Sequence, residues 1–156
     1  MSENIAELIA EAEALPVFDL PELTNDDAVE LGLIAVDLIR AEGLNLAVRI
    51  VLRDDVVFQA KLKQTGPGND EWLAGKAAAA TLSGEPSLLS RLRAEAAGTT
   101  FAELPDIDHA VVKGFGGSIP LRVAGELVGT ITTSGEADTT DHRIASEAVR
   151  RFLAAR

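Results

Sequence analysis

The chain has 156 residues, with 14 Lys and Arg against 25 Asp and Glu, a net charge of −11 and a pI near 4.5. At 47% apolar and 25% charged residues it has the composition of one globular unit, and its sign excludes the basic footprint that nucleic acid or an anionic membrane surface requires. With no Cys, thiol nucleophiles, disulfides and Cys-ligated metal centres are excluded, and Tyr is absent as well.

The charge is uneven. Residues 1–45 carry eleven acids and one base, Arg40, whereas residues 46–156 carry fourteen acids and thirteen bases. The acidic end is read as a solvated face, with docking onto a basic partner as the alternative. Glu3 and Glu7 stand where a secretory signal has a basic region, and no stretch approaches the length of a membrane span. The expected location is cytoplasmic.

In chain order, residues 2–14 suit a short helix with Ser2 as its cap and Ile5, Leu8 and Ile9 as a narrow apolar stripe. Pro16 and Pro21 then interrupt any helix, so residues 1–22 read as an arm laid over its own domain or a neighbouring subunit. Residues 23–156 are expected to form a single domain. Thr24 caps a helix running to Glu42 and stopped by Gly43. Val29, Leu31, Leu33, Ile34, Val36, Leu38 and Ile39 surround most of that helix, which calls for cover on more than one side. Residues 46–52 and 56–62 alternate as two strands about the turn Arg53-Asp54-Asp55. Asn69 is expected to cap a third helix bearing Trp72 and Lys76, and Pro86 to open a fourth that ends before Gly98. Three further strands are expected at 109–113, 118–123 and 127–134, followed by a last helix capped by Asp138 or Thr139. Hairpins at both ends of this order predict an antiparallel sheet with helices on its faces, not a βαβ nucleotide-binding fold.

Few motifs carry chemistry. Gly114-Phe115-Gly116-Gly117 lies between strands, lacks the Gly-Lys-Ser/Thr of a P-loop, and can either form an anion-holding nest or serve as a wide turn. His109 and His142 have no paired metal-ligand spacing, so no metal site is predicted. Ser118 or Ser134 near His142 could make a serine nucleophile, although no Gly-x-Ser-x-Gly elbow is present. Trp72 and Lys76, four apart, share one helical face. Arg122 points away from the face taken by Ile119, Leu121 and Val123 and needs a partner, either an anionic ligand or an internal carboxylate such as Asp141 or Glu126.

Asn69-Asp70-Glu71-Trp72 with Lys76, Gly116-Gly117-Ser118-Ile119-Pro120, Val128 to Gly135 and Asp141-His142 together resemble the cytoplasmic branch of the HbpS/GlcG-like superfamily, often labelled "heme-degrading domain". The resemblance spans about residues 23–154. It implies an α+β fold, a profilin-like three-layer α/β/α sandwich with a five-stranded antiparallel sheet, and assembly into homodimers or larger rings. Ligation of heme iron would fall mainly to His109 or His142.

Three functions compete on these residues. The first is an oligomeric small-ligand or interaction protein without catalysis, with a site for a small anion formed by Trp72, Lys76, Gly116, Gly117, Arg122 and His142. The second is heme binding or degradation. The third is a small serine hydrolase.

Overall fold

The computed structural model describes residues 3–156. The expected cap Ser2 lies outside these; Asn4 caps α1 (Ile5–Glu13) through its side chain, which accepts the Glu7 amide at 3.1 Å. The arm then gives a two-residue strand, β1 (Asp19–Leu20), and the chain continues into α2 (Asn25–Glu42). Thr24 and Asp27 form a reciprocal capping box. The threonine hydroxyl accepts the Asp27 amide at 3.1 Å, and the Asp27 carboxylate accepts the Thr24 amide at 2.9 Å. Gly43 closes the helix at φ +64°. Thr24→Ala is expected to cost about 1 kcal/mol in urea unfolding, with a cost below a few tenths counting against the box as a determinant of this boundary.

A hairpin follows, β2 (Ala47–Leu52) and β3 (Asp55–Lys61), turning through Arg53 and Asp54 at positive φ. Then come α3 (Gly68–Ser83), α4 (Ser87–Ala96) and a single 3₁₀ turn at Phe101–Glu103. A second hairpin, β4 (Ser118–Val123) and β5 (Glu126–Ser134), leads into α5 (Asp138–Ala154). Among the described residues, no helix is long and apolar enough to cross a membrane.

The sheet has five strands in the order β1-β4-β5-β2-β3. It is mixed, because β1 runs parallel to β4 while every other pair is antiparallel. The fifth strand therefore comes from the arm and not from residues 109–113. There Asp108 winds the backbone into a turn: its carboxylate accepts the Ala110 amide and its carbonyl accepts those of Val111 and Val112. Local bonding by an aspartate outcompetes the β-propensity of the valines.

One face of the sheet carries the core. Val48, Ile50, Leu52, Ile119, Leu121 and Ile131 pack against α2 and α5, and Phe18 of the arm stacks on Phe152 with ring centroids 5.6 Å apart. The opposite face, under α3 and α4, is polar. Ser118 and Thr132 join there through their hydroxyls at 2.9 Å, and Ser87 of α4 accepts the Ser118 amide at 2.9 Å. A polar layer beneath two helices is where this fold leaves chemistry available.

Candidate functional site

The site grows from the start of α3. Asn69 is not its cap, because the helix begins one residue earlier with Pro67 at the cap position. The Asn69 side chain instead accepts the Gly66 amide at 2.9 Å and donates to the Ser134 carbonyl at 3.3 Å, pinning α3 to the end of β5. One turn on, Trp72 and Lys76 point to the same side, towards the N-terminus of α5.

Lys76 is 3% exposed. Its Nζ donates to Oδ2 of Asp141 at 2.7 Å and to the Thr133 carbonyl at 3.1 Å. Asp141, 1% exposed, also accepts the amides of Gly135 at 3.3 Å and Glu136 at 3.1 Å. Burial pushes the Asp141 carboxyl up from its ordinary pKa, and the Lys76 ammonium with the two amides pulls the other way. An ammonium has three protons, and the described residues take two of them.

The glycine loop makes this enclosure possible. The Gly116 amide donates to Asp138 at 3.0 Å, and a Cβ on Gly116 would stand 2.4 Å from the Asp138 carbonyl. Gly117 has φ +140°, and its Cβ would meet the Thr133 carbonyl at 2.4 Å and Lys76 Nζ at 3.0 Å. Both glycines are there for close approach of backbone to backbone. Asp138 is in turn clamped by Arg91, Nε to Oδ2 at 2.7 Å and Nη2 to Oδ1 at 3.1 Å.

Above the ion pair lies a cavity of about 210 Å³, walled by Trp72, Phe115, Ser134, Gly135 and Glu136. Trp72 and Phe115, 39% and 37% exposed, meet edge to face at 5.7 Å and form its mouth. Lys113 lies 4.8 Å over the Trp72 ring and pairs with Glu71 at 3.3 Å.

Of the six expected site residues, the structure brings together Trp72, Lys76, Gly116 and Gly117. Arg122 and His142 stand elsewhere. Arg122 donates to the carbonyls of Gly125 at 3.3 Å and Gly84 at 3.1 Å, beside a separate cavity under the arm. Asp141, named as one possible partner for it, is taken by Lys76. His142 lines a third cleft between α1 and α5 with its Nε2 3.2 Å from Ser146 Oγ. Its Nδ1 is buried with no hydrogen-bond partner among the described residues. The expected approach of Ser118 or Ser134 to His142 is not present: Ser118 is fully buried on Thr132, and the ring's serine partner is Ser146. Among the residues that sequence reasoning left out of the site are Phe115 at its mouth, Asp141 at its floor, and Gly135 and Glu136 on its wall. An aromatic set among three glycines was a usable sign for Phe115. Nothing in the spacing ties Asp141 to a lysine 65 residues away.

Comparison with known proteins agrees with this architecture. The family described as "Haem degrading protein HbpS-like" matches residues 23–150. A UPF0303 protein of Streptomyces coelicolor is 39% identical over 131 residues, 83% of each chain. The crystal structure of Ybr137w protein superposes with a TM-score of 0.80 at 20% identity, covering 99% of this chain and 90% of that one. The crystal structure of a PduOC:heme complex does so at 0.68 and 22% identity, covering 82% and 93%. At these identities the solved structures speak for the fold, while the family match and the Streptomyces relative speak for descent. The chain belongs to the HbpS-like family.

Proposed function

We propose that this protein is a homo-oligomeric small-ligand-binding protein without covalent chemistry of its own, built as an arm over residues 1–22 and one folded unit over 23–156. The ligand sits at the Trp72–Phe115 mouth. The observation that carries this reading is the unspent third proton of a buried Lys76 beneath an exposed aromatic pair. Such a floor suits one carbonyl or carboxylate oxygen, and such a mouth suits a flat apolar body. Without Arg122 and His142 the positive charge in the cavity is that of Lys76 alone, already matched by Asp141. The ligand is therefore a neutral carbonyl compound or a monoanion, not a polyanion. Self-association is supported by two exposed apolar side chains four apart on one face of α2, Val29 at 38% and Leu33 at 51%.

Heme is the competing ligand, because the family description and one structural neighbour carry it by name. The histidines of this chain do not fit iron ligation as they stand. His109 holds its Nε2 on the Leu104 carbonyl at 2.9 Å, and in His142 Nδ1 is enclosed while Nε2 meets Ser146. The 210 Å³ cavity is also below the ~300 Å³ at which pockets begin to enclose drug-sized ligands.

Native mass spectrometry of the purified protein tests both parts. A multiple of the 16.4 kDa chain carrying a small-molecule adduct is expected, with the adduct lost in Trp72→Ala. Trp72 is the one tryptophan, so its fluorescence reports the mouth directly. A bare monomer would overturn the reading. So would a one-to-one hemin complex, with a shifted Soret band, that is abolished by His109→Ala or His142→Ala.

A further inference from the structure

The cavity beside Arg122 has a charge pattern of its own. It lies between the arm and the body of the domain, has a volume of about 250 Å³, and is walled by Leu15, Phe18, Leu89, Ile119 and Pro120. Two carboxylates reach it, Glu13 from α1 and Glu85 from the turn before α4. Both are held by Arg93, at 3.3 and 3.1 Å. Arg122 is the cation of this wall, and its contacts among the described residues are the two neutral carbonyls of Gly84 and Gly125. Gly84 is shaped for that contact. It ends α3 at φ +71°, and a Cβ there would come within 3.0 Å of Arg122 Nη2. A half-buried guanidinium has five N–H donors, and two neutral acceptors leave most of them, and the whole charge, unmatched beside an apolar hollow.

We infer that this hollow is a second binding site, distinct from the Trp72–Lys76 cavity, for a small monocarboxylic acid with an apolar body. The carboxylate takes the guanidinium of Arg122, whose planar fork suits two oxygens at once. The apolar body lies against Leu15, Leu89 and Ile119. The volume selects one ring or a short chain. The arm is the lid of this site, since residues 12–13 and 15–18 make one of its walls. It is fastened by Arg93 to Glu13, by Arg91 to Glu3 and by the amides of Arg122 and Ala124 on the carbonyls of Phe18 and Leu20. A bound acid stabilises the closed arm by mass action and slows exchange of those two amides.

The test is a pair of titrations of the ¹⁵N-labelled full chain, one with benzoate and one with its neutral isostere benzamide, both at millimolar concentration. Benzoate is expected to give saturable shifts at the amides of Val17, Leu89 and Ile119 and to slow exchange at Arg122 and Ala124. Benzamide is expected to bind about tenfold more weakly or worse, the usual margin of a charge-assisted bidentate contact. Arg122→Gln is expected to bring benzoate at this hollow down to the benzamide level, while any response of the Trp72 indole, whose mouth also takes flat carbonyl compounds, is the same in the native chain and the variant. Equal affinity of the two compounds at these amides, no saturable shift there, or shifts confined to Trp72 and Lys76 would each overturn the site. The isostere comparison needs only the unaltered chain, so it decides the question even if Arg122→Gln fails to fold. Failure here with an intact adduct at Trp72 leaves the proposed function standing, and the reverse outcome separates the two equally well.

Discussion

Replacing Lys76 with methionine is expected to lower the free energy of unfolding by about 3–5 kcal/mol, because it leaves a buried carboxylate without its counterion. Asp141 is 1% exposed, and burial already works against its charge. The pair itself is not what stabilises the fold, since desolvating two charges offsets most of their attraction. The cost comes from breaking it. A double replacement, Lys76→Met with Asp141→Leu, is expected to recover part of the loss and no more. The amides of Gly135 and Glu136 lie on exposed residues and would turn to water, while the buried Thr133 carbonyl would lose the Lys76 ammonium as donor, at about 1–3 kcal/mol. Urea unfolding of the four proteins of the cycle measures this coupling. Additive single and double effects, or a Lys76→Met cost under about 1 kcal/mol, would mean that water reaches the pair and that the floor of the site is not dry.

What could be read from the sequence follows how local each signal is. Helix α2 was legible at both ends because its determinants, Thr24, Asp27 and Gly43, act within one turn of the boundary. The two hairpins were legible from alternation and short turns. The fifth strand was not. Two residues of the arm, Asp19 and Leu20, have no periodicity to read, and their pairing with Arg122 and Val123 spans most of the chain. The site divides on the same principle. Trp72 and Lys76 meet because four residues is about one helical turn. Arg122 was placed with the Gly116–Gly117 loop by chemistry alone, although five residues of strand at ~3.3 Å each carry it about 16 Å away. His142 was placed in the site because it stands in the first turn of the last helix, next to Asp141. In a helix, consecutive residues are turned about 100° from each other, so Asp141 reaches Lys76 while His142 faces the arm.

That position of His142 makes stability fall with acid well above the range where carboxylates titrate. Burial, helped by the nearby Arg150 and opposed by Asp138, lowers its pKa from 6.5 to about 4. Glu11 of α1 and the Glu42-bound Arg143 complete the charges around the cleft. The unfolded chain therefore binds a proton at this position between about pH 6.5 and 4 while the folded chain does not. Stability is fully present above the unfolded value and is lost as pH falls through that window. The whole shift corresponds to roughly 3 kcal/mol, of which about 2 is expected to be lost between about pH 7 and 5. Asp27, Glu42 and Asp70, whose pKa values are lowered by hydrogen bonds and by Arg156, Arg143 and Lys61, act below their ordinary values of 3.8 to 4.5 and leave this window clear. Asp141, raised by burial, acts in the opposite direction. The comparison that isolates His142 is therefore the pH slope of the native protein against that of His142→Gln, measured by urea unfolding at several pH values. The variant is expected to lose the greater part of the slope between about pH 7 and 5. The chain has two histidines, so proton NMR can follow the ring of His142 directly once the variant has assigned it. Titration of that ring near 6.5, or identical slopes for the two proteins, would show that water reaches the cleft and that the arm does not seal it.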